Sequence, residues 1–387
     1  MSDTAPPDFA PAMRTAIALA EKAHWQTWPN PAVGAVLLRD GQIVAQGWHR
    51  AAGQAHAEVA CLNDAAARGI DPRGCTLVVT LEPCNHYGKT PPCTEAILAA
   101  GISRVVIGCT DPNPEATGGL ERLRQAGVEV ITDVCATECS DLLADFRVLQ
   151  EGKRPYVALK LAASLDGRIA TRTGHSQWIS NAASRRSVGE MRARMGAQGG
   201  GVLVGGGTFR ADNPRLTARA EGYNGPQPLA CVLTSRLPLA DADFHLVKER
   251  PEQTVFLASP AAAASTTAHA LRQKGVRVLA VGNDGKGKPN FPEMLAALRQ
   301  ELGCPGILCE GGAQLGLSLL EAGLVDEFHL HLAPMILGDD EALPLFKGRA
   351  PLHLDEALRM RVTRLSQCEG DIHLLLRPIA QDSRQGV

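Results

Sequence analysis

The stretch Thr80–Cys93, reading Thr-Leu-Glu-Pro-Cys-Asn-His-Tyr-Gly-Lys-Thr-Pro-Pro-Cys, constrains this chain more than any other, and His56-Ala57-Glu58 upstream completes it. A neutral imidazole and two thiolates suit zinc by ligand softness. His56, Cys84 and Cys93 would be three protein ligands. They leave one tetrahedral position open, the arrangement of a catalytic rather than a structural zinc. That position takes water, whose proton Glu58 is placed to remove and to pass to a leaving nitrogen. Zinc deaminases carry this order of residues: His-x-Glu, then Pro-Cys, then a second Cys. Here the two cysteines lie much farther apart than in that pattern, so Asn85–Pro92 is an inserted loop beside the metal. Competing readings are a structural zinc completed by Cys61, Cys75 or His86, or a set of buried free cysteines. Cys61 and Cys75 suit apolar filling of a core.

A chain of 387 residues exceeds one typical core, so two domains are expected. Hydrophobic residues at 45% and charged residues at 21% are ordinary for a soluble globular protein. The net charge of −2 gives no sign of a large basic nucleic-acid-binding surface and argues against deamination of a base within a polynucleotide. Met1–Pro11 lacks the apolar core of a signal peptide, and no apolar run approaches the ~20 residues that span a membrane. Eleven cysteines, an odd number, fit a reduced cytoplasmic setting with some thiols on metal.

In the first half, Pro11–Trp25 predicts an amphipathic helix, ended by Asn30-Pro31. Ala32–Leu38 and Ile43–Trp48 predict strands joined by an Asp40-Gly41 hairpin turn, with His49 just past the second. His56–Arg68 predicts a helix with His56 and Glu58 at its start, and Thr76–Thr80 a short strand. Pro83 suits the first turn of a helix, which would put Cys84 at a helix N-terminus. Cys93–Ala100 (helix), Arg104–Cys109 (strand), Gly118–Ala126 (helix), Val128–Thr132 (strand) and a closing helix Glu138–Gln150 complete an α/β layer.

These motifs resemble a known family. Asn30-Pro31-x-Val33-Gly34, His56-Ala57-Glu58 and Thr80–Cys93 are similar to the deaminase half of the bifunctional riboflavin-biosynthesis deaminase/reductases, within the cytidine deaminase superfamily. The long Cys–Cys spacing is a feature of that family. The resemblance implies that Asn30, His49, His86 and Lys89 hold a phosphoribosylaminopyrimidine, with Lys89 on its phosphate. On chemistry alone, Asn30 equally starts a turn, and His86 and Lys89 equally decorate a loop.

The polar, proline-terminated Glu151-Gly152-Lys153-Arg154-Pro155 marks a boundary, giving domains 1–151 and 152–387. Beyond it, strands are expected at Tyr156–Ala162 (carrying Lys160), Gly201–Val204, Ala230–Thr234, Thr254–Ala258, Val276–Val281 and Gly306–Cys309. Helices are expected at Ala182–Arg194, Ala262–Gln273, Phe291–Glu301 and Ala313–Ala322, so this half is also α/β. Gly205-Gly206-Gly207-Thr208 and Glu310-Gly311-Gly312-Ala313 are glycine turns at helix starts. Each is a phosphate site or simply a tight turn, and neither is the dinucleotide fingerprint.

Lys160, Ser164-Leu165-Asp166-Gly167-Arg168, Ser176-Gln177-Trp178-Ile179 and the two glycine clusters come in the order of the reductase half of the same family. The resemblance implies a dihydrofolate-reductase-like fold and NADPH as cofactor. Ala162, Trp178, Thr208, Asp212, Ser235 and the run Gly312, Ala313, Gln314, Leu315, Gly316, Leu317 and Ser318 would lie along the cofactor. Ser176, Arg192, Leu216, Arg219 and Glu310 would lie along the substrate, whose ribose phosphate suits guanidinium groups. Lys160 would polarise or orient the opening sugar, or else snorkel from a strand end. Two departures from the family pattern stand out. Met195–Gly201 is richer in glycine and a residue longer, which predicts a loose cofactor loop, and Gln314 stands where Thr or Ser is expected. The expected architecture is therefore a cytidine-deaminase-like α/β/α domain followed by a dihydrofolate-reductase-like α/β domain. It would use zinc and NADPH, act on small phosphoribosylated pyrimidines, and assemble as a homo-oligomer.

Overall fold

A computed structural model describes residues 8–87, 91–112 and 118–379. The chain divides into two compact units, Met1–Gln150 and Glu151–Val387.

The first unit runs α1 (Ala10–Glu21), β1 (Gly34–Arg39), β2 (Gln42–Trp48), α2 (Ala57–Ala67), β3 (Thr76–Leu81), α3 (Cys93–Ala99), β4 (Arg104–Cys109), α4 (Gly119–Gln125), β5 (Glu129–Ile131), α5 (Ala136–Leu142) and α6 (Ala144–Glu151). Its sheet has the order β2-β1-β3-β4-β5, with β1 antiparallel to both neighbours and β3, β4 and β5 parallel. Asp40 and Gly41 turn the β1–β2 hairpin with φ of 51° and 77°, the left-handed pair such two-residue turns require. Strand residues alternate between two cores. Ala35, Leu37, Leu77, Val79, Val105 and Ile107 meet Cys61 and Ala65 of α2, Ile97 of α3 and Leu123 of α4. Val36, Leu38, Val78 and Val106 meet Met13, Ala16 and Leu19 of α1 and Cys139 of α5. The result is an α/β/α sandwich. The predicted closing helix is two helices, meeting at Leu143.

One expectation fails here. Residues 82–87 form no helix, so Cys84 is not at a helix N-terminus. The segment is tied outward instead: the Thr94 N–H donates to the Cys84 carbonyl (3.3 Å) and the Cys93 N–H to Cys84 Sγ (3.5 Å). It is Cys93 that opens a helix, α3, while His56 caps α2.

The second unit runs β6 (Tyr156–Ser164), β7 (Arg168–Ala170), α7 (Ala182–Ala197), β8 (Gly201–Gly205), α8 (Gly206–Asp212), β9 (Leu229–Leu233), α9 (His245–Lys248), β10 (Thr254–Ala258), α10 (Pro260–Ala263), α11 (Thr266–Gln273), β11 (Arg277–Ala280), α12 (Phe291–Leu302), β12 (Gly306–Cys309) and α13 (Ala313–Glu321). It ends with β13 (Glu327–Ala333), β14 (Leu343–Pro344), β15 (Met360–Cys368) and β16 (Asp371–Pro378). The main sheet has the order β11-β10-β9-β8-β12-β6-β13-β16-β15. It is parallel from β11 to β13 and antiparallel beyond. Phe291, Met294, Leu295 and Leu298 of α12 and Leu315, Leu319 and Leu320 of α13 cover one face. Phe209 of α8 and Ala268 and Leu271 of α11 lie in the second core, with Val202, Val204, Val232 and Phe256.

The glycine-rich segment after α7 is not loose. Gly196 lies in the last turn of α7, where a Cβ would meet the Pro226 carbonyl oxygen. A Cβ on Gly200 would meet the Gly306 carbonyl oxygen and Met195 Sδ. The glycines here permit close packing. The predicted tail Gln381–Val387 and the loop residues Gly88, Lys89 and Thr90 lie outside the described residues.

Candidate active sites in the two units

In the first unit, the start of α2, the segment after β3 and the start of α3 bring the predicted ligands to one point. His56 Nδ1 lies 3.6 Å from Cys84 Sγ and 3.3 Å from Cys93 Sγ. All three ligand atoms fall within 4.8 Å of one another, the sole such cluster among the described residues. Tetrahedral zinc with standard Zn–N and Zn–S bonds separates such atoms by about 3.6 Å, so the donor set fits the metal in chemistry and in spacing. Cys61 and Cys75, the alternative fourth ligands, are buried in the core of the unit.

Glu58 is 4% exposed, and burial pushes its carboxyl up to about 7. The hydrogen bond from Cys93 and then that to His56 hold Cys84 low, at about 4, while its neighbour Cys93 is pushed up. The hydrogen bond with Cys84 raises His56. His56, Glu58 and Cys84 line a cavity of about 450 Å³ together with Asn30, His49 and His86, and Cys93 is buried beside it. His49 Nδ1 faces the Ala55 carbonyl at 3.0 Å and must donate to it; Nε2 then accepts from Asn30 Nδ2 at 3.1 Å. Burial lowers the His49 pKa and keeps that ring neutral. Asn30 and His49 thus form one hydrogen-bonded wall, and His86 is an exposed wall residue. Asp111, Phe146 and Gln150 also line the cavity and carried no recognisable motif.

In the second unit the two glycine clusters face each other at the C-terminal ends of the neighbouring strands β8 and β12, where open α/β sheets bind ligands. Gly205 N–H donates to the Gly311 carbonyl (3.0 Å), and a Cβ at Gly312 would approach Thr208 Oγ1. Gly312 caps α13, so Gly312, Ala313, Gln314, Leu315, Gly316, Leu317 and Ser318 form its opening turns. Leu315, Leu317 and Gly316 are buried there, leaving backbone and the polar side chains for a ligand. Trp178 is 64% exposed, with the Arg185 guanidinium 4.4 Å from its ring centre. Asp212 and Ser235 are exposed at the ends of α8 and β9.

Arg192, on α7, forms a bidentate pair with Glu310: Nε to Oε1 at 2.6 Å and Nη2 to Oε2 at 2.5 Å, both side chains largely buried. Burial alone would raise Glu310, but Arg192 beside it holds it low. Lys160 lies near this pair. Burial pushes its ammonium down to about 8, against the pull of Glu310 and with the push of Arg192; Asp371 also pulls up. Arg219 shares the field of Glu310 and Arg192. Leu216 is 2% exposed, so it can offer a ligand only its backbone. Ser176 is half-buried in the loop before α7, and Ala162 half-buried on β6.

Sequence reasoning missed the strands β13 and β16, and with them a polar layer behind Lys160. His329 pairs in register with Lys160, and His331 with His373. The His331 and His373 rings stack at 3.6 Å, 6° from parallel. His373 Nε2 meets Ser184 Oγ (2.8 Å), which donates to Asp371 (2.6 Å). Burial and the nearby Lys160 keep His331 neutral. The alternation Glu327-Phe328-His329-Leu330-His331-Leu332 was the available signal.

Both halves of the chain match known families. Residues 155–374 match the RibD C-terminal domain, and residues 9–109 the cytidine and deoxycytidylate deaminase zinc-binding region. The chain is 37% identical to riboflavin biosynthesis protein RibD of Bacillus amyloliquefaciens over 97% of each chain. It is 38% identical to the Aquifex aeolicus protein of the same name over 94% of this chain and 97% of that one. Its fold is similar to the crystal structure of the diaminohydroxyphosphoribosylaminopyrimidine deaminase/5-amino-6-(5-phosphoribosylamino)uracil reductase of Thermotoga maritima. The TM-score is 0.72 at 34% identity, covering 96% of this chain and 99% of that one. The chain belongs to the RibD family, the bifunctional deaminase/reductases of riboflavin biosynthesis that work with zinc and NADPH.

Proposed function

We propose that residues 1–151 deaminate diaminohydroxyphosphoribosylaminopyrimidine and that residues 152–387 reduce the ribosyl group of the resulting 5-amino-6-(5-phosphoribosylamino)uracil to ribityl. The observation that carries the first assignment is the cluster of His56, Cys84 and Cys93, whose His56 and Cys84 line one cavity with buried Glu58. His56, Cys84 and Cys93 hold zinc, which when bound supplies the Lewis acidity that makes water nucleophilic at neutral pH. Glu58 takes the proton from that water and passes it to the departing nitrogen. One C–O bond forms, one C–N bond breaks, and ammonia leaves. Neutral His49 and Asn30 orient the pyrimidine edge, with His86 at the rim and Lys89 on the phosphate.

In the second unit NADPH, when bound, supplies the hydride. Ala162, Trp178, Thr208, Asp212, Ser235 and the opening turns of α13 hold that cofactor. Arg192 and Glu310 orient each other, and with Arg219, Ser176 and the Leu216 backbone they seat the substrate. The Lys160 ammonium donates to the sugar ring oxygen, which takes a proton as the ring opens. A cytoplasmic homo-oligomer completes the reading. It is supported by the free state of all eleven cysteines and by Val362 and Leu365, exposed on the edge strand β15.

The test is a coupled assay on the whole chain. With zinc and no NADPH, one ammonia is released per pyrimidine; adding NADPH then gives one oxidation per deaminated product. A wild-type protein that takes up no zinc, or that never oxidises NADPH on the deaminated substrate, refutes the corresponding half. Light scattering at the size of a single chain refutes the oligomer.

A further inference from the structure

The residue before Pro83-Cys84 is an acid, Glu82, which the deamination chemistry does not use. It is 6% exposed and bears on three backbone donors. Oε1 accepts from Gly118 N–H (3.2 Å) and Leu120 N–H (3.1 Å), and Oε2 from Asp111 N–H (3.4 Å). Its own N–H donates to the Cys109 carbonyl (2.9 Å). All three partners of the carboxylate are donors, so a group with only acceptor oxygens is required there.

Behind this carboxylate, the start of α4 presses on the ligand segment. A Cβ at Gly119 would sit on the Pro83 carbonyl oxygen and touch Thr94 Cγ2. Thr94 in turn donates from Oγ1 to Asn85 Oδ1 (3.0 Å) and from its N–H to the Cys84 carbonyl. Pro83 and Asn85 flank Cys84, and Thr94 follows Cys93. The segment carrying Cys84 has no helix of its own to hold it, as the irregular backbone of 82–87 shows. Its position therefore comes from this brace.

We propose that Glu82, with Gly119 packed behind it, is a positioning residue that holds Cys84 and Cys93 at metal-binding distance from His56. The proposal rests on the assignment of those three residues as zinc ligands. Groups that orient metal ligands, when altered, cost about 10–100-fold in metal affinity or activity. In Glu82→Gln one acceptor oxygen becomes an amide donor that faces a backbone N–H. In Gly119→Ala the new methyl forces α4 away from Pro83.

The experiment is done on the full chain, with zinc affinity read by competition against a chromogenic chelator. Cobalt substitution, read by the thiolate-to-metal band, reports how many thiolates bind. Reductase activity on the same chain reports folding. Glu82→Gln is expected to weaken zinc binding about tenfold or more and to weaken the thiolate band. Deamination should return when zinc is added in excess, and NADPH oxidation should be unchanged; Gly119→Ala behaves alike. Zinc affinity within twofold of wild type in both variants overturns the proposal. So does parallel loss of both activities without recovery by zinc, since that marks a general folding role. Cys84→Ser separates the underlying reading: if that variant binds zinc as tightly as wild type, the ligand assignment itself has failed, whatever Glu82 does.

Discussion

In the first unit the proposed ligands and the proposed proton-moving acid come from two short segments, His56–Glu58 and Cys84–Cys93. In the second, the polar groups around Lys160 come from β6, α7, the end of β12, β13 and β16. The first site is a motif held at the starts of α2 and α3 and on the irregular segment after β3; the second is assembled by pairing strands far apart in sequence. A local site concentrates its chemistry in few residues, so removing one acts on rate and leaves the scaffold standing. A dispersed site shares its charges with the structure of the unit, so removing one acts on stability as well.

The largest effect should come from Glu58→Gln. General acid–base catalysis contributes about 10²–10⁴-fold, and the deamination kcat should fall by that much with zinc content and NADPH oxidation retained. Ammonia release near the wild-type rate would break the comparison on its first side. Next comes Arg192→Ala. It leaves Glu310 charged in a site where both partners are largely buried, and breaking such a pair costs about 3–5 kcal/mol. A urea melt should show the transition of the second unit moved to lower denaturant, while deamination at low denaturant is kept. If only the rate of reduction changes, the second site is as separable from its scaffold as the first.

Lys160 separates rate from stability by pH. Its ordinary value of 10.5 falls to about 8 in the folded unit, burial being the main cause. Below about 8 both folded and unfolded chains carry the charge, and the cost of burying it is constant. Between about 8 and 10.5 the unfolded chain binds the extra proton, so stability of the unit rises with pH. Over the same window the ammonium proposed to act at the sugar is lost, so reduction should slow. Opposite trends in the pH profiles of melting and NADPH oxidation, both abolished in Lys160→Met, are the expected result. Parallel trends would remove Lys160 from the chemistry.

This contrast also explains what could be read before the fold was known. The candidate metal ligands and Glu58 follow from residues close in sequence whose types are chemically demanding, whereas Asn30 and His49 are singled out only through the family resemblance. Cys84 was misplaced on a helix because Pro83 fits a first helical turn; hydrogen bonds from Thr94 and Cys93, residues across the inserted loop, hold the segment open instead. Glycines 196 and 200 suggested looseness because sequence shows permissiveness but not the Pro226 and Gly306 carbonyls packed against them. Strand β13 went unseen because its second face is polar: Glu327, His329 and His331 look outward-facing until β16 and Ser184 of α7 supply partners.

The smallest expected effect makes the sharpest use of the comparison, because it sets one residue type against itself. His49 and His331 are both buried, at 2% and 3% exposure. His49 spends both ring nitrogens on partners, Asn30 and the Ala55 carbonyl. His331 Nδ1 has no partner among the described residues. Replacing a buried group that leaves partners unpaired costs about 1–3 kcal/mol, whereas removing a polar atom that had none is nearly neutral. His49→Leu should therefore destabilise the first unit by about 2 kcal/mol in urea unfolding, and His331→Leu should change the second by less than about 1 kcal/mol. A cost for His331→Leu as large as that for His49→Leu would mean that the stacked histidines behind Lys160 are held by more than packing, and that the dispersed site is as tightly wired as the local one.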